Sequence, residues 1–128
     1  MAKYIFDASA WIEYFEGSHE GKKIQKILTQ KKNTVITMDS TVGELFSWTL
    51  KRGHNFPRLL DIIQKKSLLH DCPLGMWVEA AMHRHKLREQ RKKFGFMDAL
   101  LITMQQHTGA TIVTKDNDFR GLPNVAML

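Results

Sequence analysis

The sequence holds one cysteine, Cys72, which excludes an internal disulfide and a zinc site built from cysteines. A lone thiol suits a reducing compartment and reads as a small core residue. No apolar run approaches the ~18 residues a membrane span needs. A signal-peptide core is missing too, because Asp7 interrupts the amino-terminal apolar stretch almost at once. These absences point to a cytoplasmic location and no membrane. Internal repeats and long linkers are also lacking, and with 43% hydrophobic and 25% charged residues the composition excludes extensive disorder. At 128 residues the expectation is a single domain over 1–128, burying roughly two thirds of the surface that its unfolded chain exposes.

Acidic residues are the minority charge. Nineteen Lys and Arg against thirteen Asp and Glu leave a net charge of +6 and a pI near 9.6, which favours polyanionic partners such as nucleic acid. The excess is concentrated in "HRHKLREQRKKF", where Arg84, Lys86, Arg88, Arg91, Lys92 and Lys93 are opposed only by Glu89. This is a candidate phosphate-binding surface, although the same run fits an ordinary solvated helix face. Its "HRH" is not a zinc site, since residues two apart on a helix point away from each other.

Short β-rich runs recur at 3–6, 34–37, 67–70, 110–114 and 124–128. Helical patterns fill the gaps. The first two span 10–16 and 19–31. A third is marked by Val42, Leu45, Phe46 and Thr49, and a fourth by Leu59, Leu60, Ile62 and Ile63. The fifth carries a stripe of Trp77, Ala80, Ala81 and Leu87, and the sixth, "FGFMDALLITMQQHTG", is apolar nearly all round until Gly109 ends it. Strands alternating with helices predict right-handed βαβ units and an α/β fold with a mostly parallel sheet covered on both faces.

Carboxylates interrupt this apolar structure at four places. Asp7 follows the first strand, where it serves either as an N-cap or as a group in the crevice beyond the strand ends. Glu44, about 200° around its helix from Val42, faces either water or a cleft. Asp98, inside "FGFMDALLIT", is a helix-start anion or faces a polar cavity at that helix's amino end. Asp116 and Asp118, in "TIVTKDNDF", form an Asx turn or share the rim with Asp7, because parallel strands end on one edge. Clustered carboxylates need positive charge between them, and Mg²⁺ or Mn²⁺ suits all-oxygen ligands. On a basic protein such an ion would meet a phosphodiester.

Taken in order, D-x-S at the first strand end, "GEL" in the third helix, "FMDALLI" and "TKDNDF" resemble the PIN-domain nucleases. The opening "FDASAWIEYFEGS" is similar to their toxin subset, VapC. The resemblance covers essentially the whole chain. It implies a three-layer α/β/α sandwich with a parallel central sheet, and Mg²⁺- or Mn²⁺-dependent hydrolysis of RNA by an endoribonuclease. By the same resemblance Asp7, Glu44, Asp98 and Asp116 are the catalytic, metal-holding quartet, and Ser9, Thr114 and Asp118 support it. A homodimer and a small antitoxin protein as partner are implied as well. The basic run would then feed RNA phosphates toward the metals. The sequence departs from the family after Asp98, where small residues give way to "LLITM". Alternatives are an RNA-processing nuclease without an antitoxin, or a non-catalytic RNA-binding module on the same fold. An aspartyl-phosphate enzyme fits poorly: a D-x-D phosphatase needs an acid at Ser9, and a receiver needs an acidic pair near the first strand.

Overall fold

The computed structural model describes residues 2–128. The chain runs β1 (Lys3–Phe6), α1 (Ala8–Glu16), α2 (His19–Thr29), β2 (Thr34–Met38), α3 (Asp39–Arg52), α4 (Phe56–Lys66), β3 (Leu68–His70), α5 (Leu74–Leu87), α6 (Phe96–Thr108), β4 (Thr111–Thr114), a 3₁₀ turn at Asn117–Phe119 and β5 (Val125–Met127). The five strands form one sheet in the order β3-β2-β1-β4-β5, every pairing parallel.

Strand residues alternate between the two faces, and each face meets its own helices. Ile5, Ile36, Met38 and Ile112 pack with Met76 and Ala80 of α5 and with Ala99, Leu100 and Met104 of α6. Phe6, Val35 and Val113 pack on the other side with Ala10, Trp11, Ile24, Leu45 and Ile63, from α1 to α4. The result is the expected three-layer α/β/α sandwich. Burying Ile5 or Phe6 completely contributes about 1.5–3 kcal/mol each. Trp11 is also fully buried; its ring lies edge-on to Phe6 at 5.3 Å, and its indole N–H donates to Thr37 Oγ1 at 3.1 Å.

Several boundaries differ from the sequence expectation. The first helix starts at Ala8 rather than residue 10, because Asp7 caps it. The last two strands are shorter than 110–114 and 124–128, at Thr111–Thr114 and Val125–Met127. The buried stripe of α5 is Met76 and Ala80, with Leu87 packed at the edge; Trp77 and Ala81 lie on its outer side. That helix ends at Leu87, so only the first part of the basic run is helical. Residues 88–95 turn back instead, drawn in by Phe94, which is fully buried and edge-on to Phe119 at 5.4 Å.

Candidate functional site

The strand order places a topological switch at β1. From β1 the chain moves through β2 to β3, and then returns to add β4 on the opposite side. From β1 the chain passes into α1 on one face, whereas from β4 it passes into the 3₁₀ turn whose Phe119 packs on the other, opening a crevice beyond the carboxyl ends of β1 and β4. The register pairs Phe6 with Val113, so the next residues, Asp7 and Thr114, emerge side by side.

Asp7 is buried and its oxygens are saturated by local donors. Oδ1 accepts from the Ala10 N–H at 2.9 Å and from Ser9 Oγ at 2.7 Å, while Oδ2 accepts from Thr114 Oγ1. The same hydroxyls serve the neighbouring loop. Thr114 Oγ1 accepts from the Asp116 N–H at 2.9 Å, and Ser9 Oγ from the Lys115 N–H at 2.8 Å. Asp116 Oδ1 in turn accepts from the Asp118 N–H at 2.9 Å, closing an Asx turn. From the facing helix, Asp98 Oδ2 accepts from the Gly95 N–H at 3.2 Å in the first turn of α6.

These local duties do not keep the carboxylates apart. Asp98, Asp116 and Asp118 each bring a carboxylate oxygen within 4.8 Å of the others. Asp7, Glu44, Asp98 and Asp116 line one cleft of about 230 Å³, together with Ala8, Ser9, Ile12 and Leu101. Capping and clustering, alternatives in the sequence, therefore coexist here at Asp7, Asp98 and Asp116. Glu44 resolves toward the cleft: it is exposed, yet it stands in the cleft wall.

Proximity and burial both resist ionisation. Burial raises the Asp7 pKa above its ordinary value, against hydrogen bonds from Thr114, Ser9 and Ala10, with Asp116 adding repulsion. Asp98 rises to about 6 through burial, opposed by the Gly95 N–H and reinforced by Asp116, Asp118 and Asp7. Glu44 rises to about 7; the protein around its carboxyl contributes most, followed by repulsion from Asp7, Asp98 and Asp116. Groups that repel one another this way favour a cation between them, and the donors are all oxygens, the set that hard divalent ions take.

The basic run divides into two sets. Arg88 Nε donates to Phe94 O at 2.8 Å; Arg91 donates from Nε to Asp118 O at 3.0 Å and from a terminal nitrogen to Arg120 O at 2.8 Å. The Arg84 guanidinium lies 4.6 Å from the centre of the Phe96 ring. These three arginines tie the loop before α6 to its surroundings, whereas Lys86, Lys92 and Lys93 are exposed.

Sequence reasoning missed a buried acid beside the cleft. Glu13 on α1 is only 7% exposed and pairs with Lys115. The signal was present in "WIEYF", an acid set among aromatic residues, and in the lysine between Thr114 and Asp116.

No curated protein matches the sequence. Among solved structures, the fold is similar to that of VapBC2 from Rickettsia felis, bound to a DNA fragment from its promoter, with TM-score 0.74 and 18% identity, covering 98% of this chain and 97% of that one. It is similar to Mycobacterium tuberculosis VapC20, a sarcin-ricin loop cleaving toxin, with TM-score 0.74 and 17% identity over 95% and 96% of the two chains. A toxin-antitoxin complex from Klebsiella pneumoniae gives TM-score 0.70 and 21% identity over 97% and 96%. At these identities the likeness is one of fold. Sequence evidence comes from the model of the PIN domain, which matches residues 4–125 and so takes in every carboxylate of the cleft: the chain belongs to the PIN domain family.

Proposed function

We propose that this PIN domain is a divalent-metal-dependent endoribonuclease that hydrolyses RNA phosphodiester bonds, working as a single domain and as the toxin of a toxin-antitoxin pair. The observation that carries this reading is the convergence of Asp7, Glu44, Asp98 and Asp116 on one cleft in a chain whose net charge is +6. Carboxylates line the centre while positive charge prevails elsewhere, the distribution expected of a protein that gathers a polyanion around a cation.

The donor set fits Mg²⁺ or Mn²⁺. Asp98, Asp116 and Asp118 are close enough to share an ion, with Asp7 and Glu44 completing the acidic wall. When bound, such an ion polarises the phosphodiester and lowers the pKa of a nearby water. The protein's own groups set the stage: Thr114 and Ser9 fix both Asp7 oxygens, and the Asx turn at Asp116 holds Asp118 beside it. Lys86, Lys92 and Lys93 offer exposed ammonium groups to RNA phosphates, with Arg84, Arg88 and Arg91 adding charge while bracing the segment.

The toxin reading draws on the fold's likeness to toxins crystallised with their antitoxins. A homodimer is supported by the outer face of α5, where Leu74, Val78 and Met82 repeat every four residues at 81%, 58% and 65% exposure. The test is incubation of purified protein with mixed single-stranded RNAs and Mn²⁺ or Mg²⁺, beside EDTA and Asp98→Asn controls. Cleavage should disappear in both controls; cleavage surviving both would mean a contaminant or another chemistry. A short reading frame directly upstream, encoding a small DNA-binding protein, would support the antitoxin pairing.

A further inference from the structure

Lys115 stands between Thr114 and Asp116 at the edge of the acidic site. Its backbone N–H donates to Ser9 Oγ at 2.8 Å, and that hydroxyl lies 2.7 Å from Asp7 Oδ1. A four-carbon side chain rooted there has the reach to enter the cleft. It turns away instead: Nζ donates to Glu13 Oε1 on α1, and Glu20 and Glu16 strengthen the attraction. The two partners are unequally held. The Lys115 side chain is 52% exposed and the Glu13 side chain 9%. Glu13 is fixed by the corner between α1 and α2, where its carbonyl accepts from the Ser18 N–H and Ser18 Oγ, both at 3.3 Å. Gly21 approaches that carbonyl so closely that a Cβ would lie 2.2 Å from its oxygen. The acid is the anchor and the ammonium is the movable part.

We propose that Glu13 is a positioning residue that parks the Lys115 ammonium outside the acidic cleft, leaving the carboxylates free for a divalent cation. The inference rests on the reading of the cleft as a metal centre. Without Glu13 the ammonium loses its hydrogen-bonded partner on α1, Glu20 and Glu16 attract it only through space, and a side chain free to swing toward Asp7 and Asp116 becomes a built-in competitor for the ion's place. An ammonium occupying the cleft nine-tenths of the time would weaken the apparent cation affinity about tenfold, because only the open fraction binds.

Calorimetric titration with Mn²⁺ alone tests this without RNA, on the parent, Glu13→Gln, Lys115→Met and the double variant. Glu13→Gln should raise Kd about tenfold, Lys115→Met should stay within about twofold of the parent, and the double variant should return to the parent value. A merely structural Glu13 would leave the double variant as weak as Glu13→Gln, and that result would overturn the proposal. So would a Glu13→Gln protein that binds as the parent does. Should Glu13→Gln fail to fold, Lys115→Met still decides: tightening beyond about tenfold would mean the ammonium already sits in the cleft. A parent that binds no Mn²⁺ would remove the metal centre itself, whereas normal parent binding with an unchanged Glu13→Gln would sink this inference alone.

Discussion

Thr114 Oγ1 donates to Asp7 Oδ2 from 107 residues away and accepts from the Asp116 N–H at 2.9 Å, so one buried hydroxyl ties the Asp7 carboxylate to the backbone of Asp116. Replacing Thr114 by Val keeps the shape but removes both bonds. Leaving the Asp7 oxygen and the Asp116 N–H unpaired should cost about 1–3 kcal/mol in urea unfolding. Loss of such an orienting partner should also weaken Mn²⁺ binding or RNA cleavage roughly 10–100-fold. Thr114→Ser should stay near the parent in both assays; a loss in Ser with Val near the parent would assign the role to the methyl group.

Asp7 and Asp98 each combine a cap with a place in the cleft, and the amide of Asn separates the two duties. Its oxygen still accepts from the Ala10 or Gly95 N–H while its charge is gone. In EDTA, Asp7→Asn and Asp98→Asn should melt at or above the parent temperature. Both should lose most of the stabilisation that Mn²⁺ gives the parent, which is about 2.7 kcal/mol at a hundred times Kd. Lower melting by an equal amount in EDTA and Mn²⁺ would contradict the active-site assignment and leave only the caps.

Raised carboxyl pKa values set the pH response. Asp98 moves from 3.8 to about 6 and Glu44 from 4.5 to about 7 on folding, so between these limits the folded protein binds more protons than the unfolded one. Stability of the metal-free protein should therefore fall as pH rises through that window. Melting in EDTA should be higher at about pH 5 than at about pH 7.5, with a shallower slope in Glu44→Gln. Mn²⁺ affinity should move the other way, rising with pH as protons leave the site. An EDTA melting temperature that does not fall across the same interval would show that folding leaves these acids free to ionise.

Basic residues before α6 should separate by what they touch. Lys92→Ala and Lys93→Ala should weaken RNA binding across sequences and lower the salt slope by roughly 0.7 per lost phosphate contact on a single strand, without changing the melting temperature. Arg91→Ala should destabilise the protein as well, because its guanidinium holds the carbonyls of Asp118 and Arg120. Unchanged salt slopes in both lysine variants would make the segment a solvated surface.

The sheet was legible because its strands are apolar runs bounded by turns, and the common edge of Asp7 and Asp116 follows from parallel pairing. Glu44 was not, since periodicity excludes a residue from a stripe without saying whether it meets water or a cleft. The α5 stripe was misjudged through Trp77, a large ring assigned inward that in fact lies 6.3 Å from Phe96 on the outer side. Arg84, Arg88 and Arg91 looked like one charged face; their backbone and ring partners come from a fold that doubles back at Phe94, which no helical period reports. Glu13 escaped notice because its partner Lys115 is 102 residues away.

Strand β4 lies beside β1 in the middle of the sheet although it is nearly the last strand made. A chain leaving the ribosome therefore presents Asp7 and Glu44 before residues 114–118 exist to complete the cleft, and β1 waits with one edge unpaired. Under the proposed function, RNA near the site of synthesis is exposed to an unfinished and inactive enzyme, and cutting begins only when the carboxyl-terminal strands slot in.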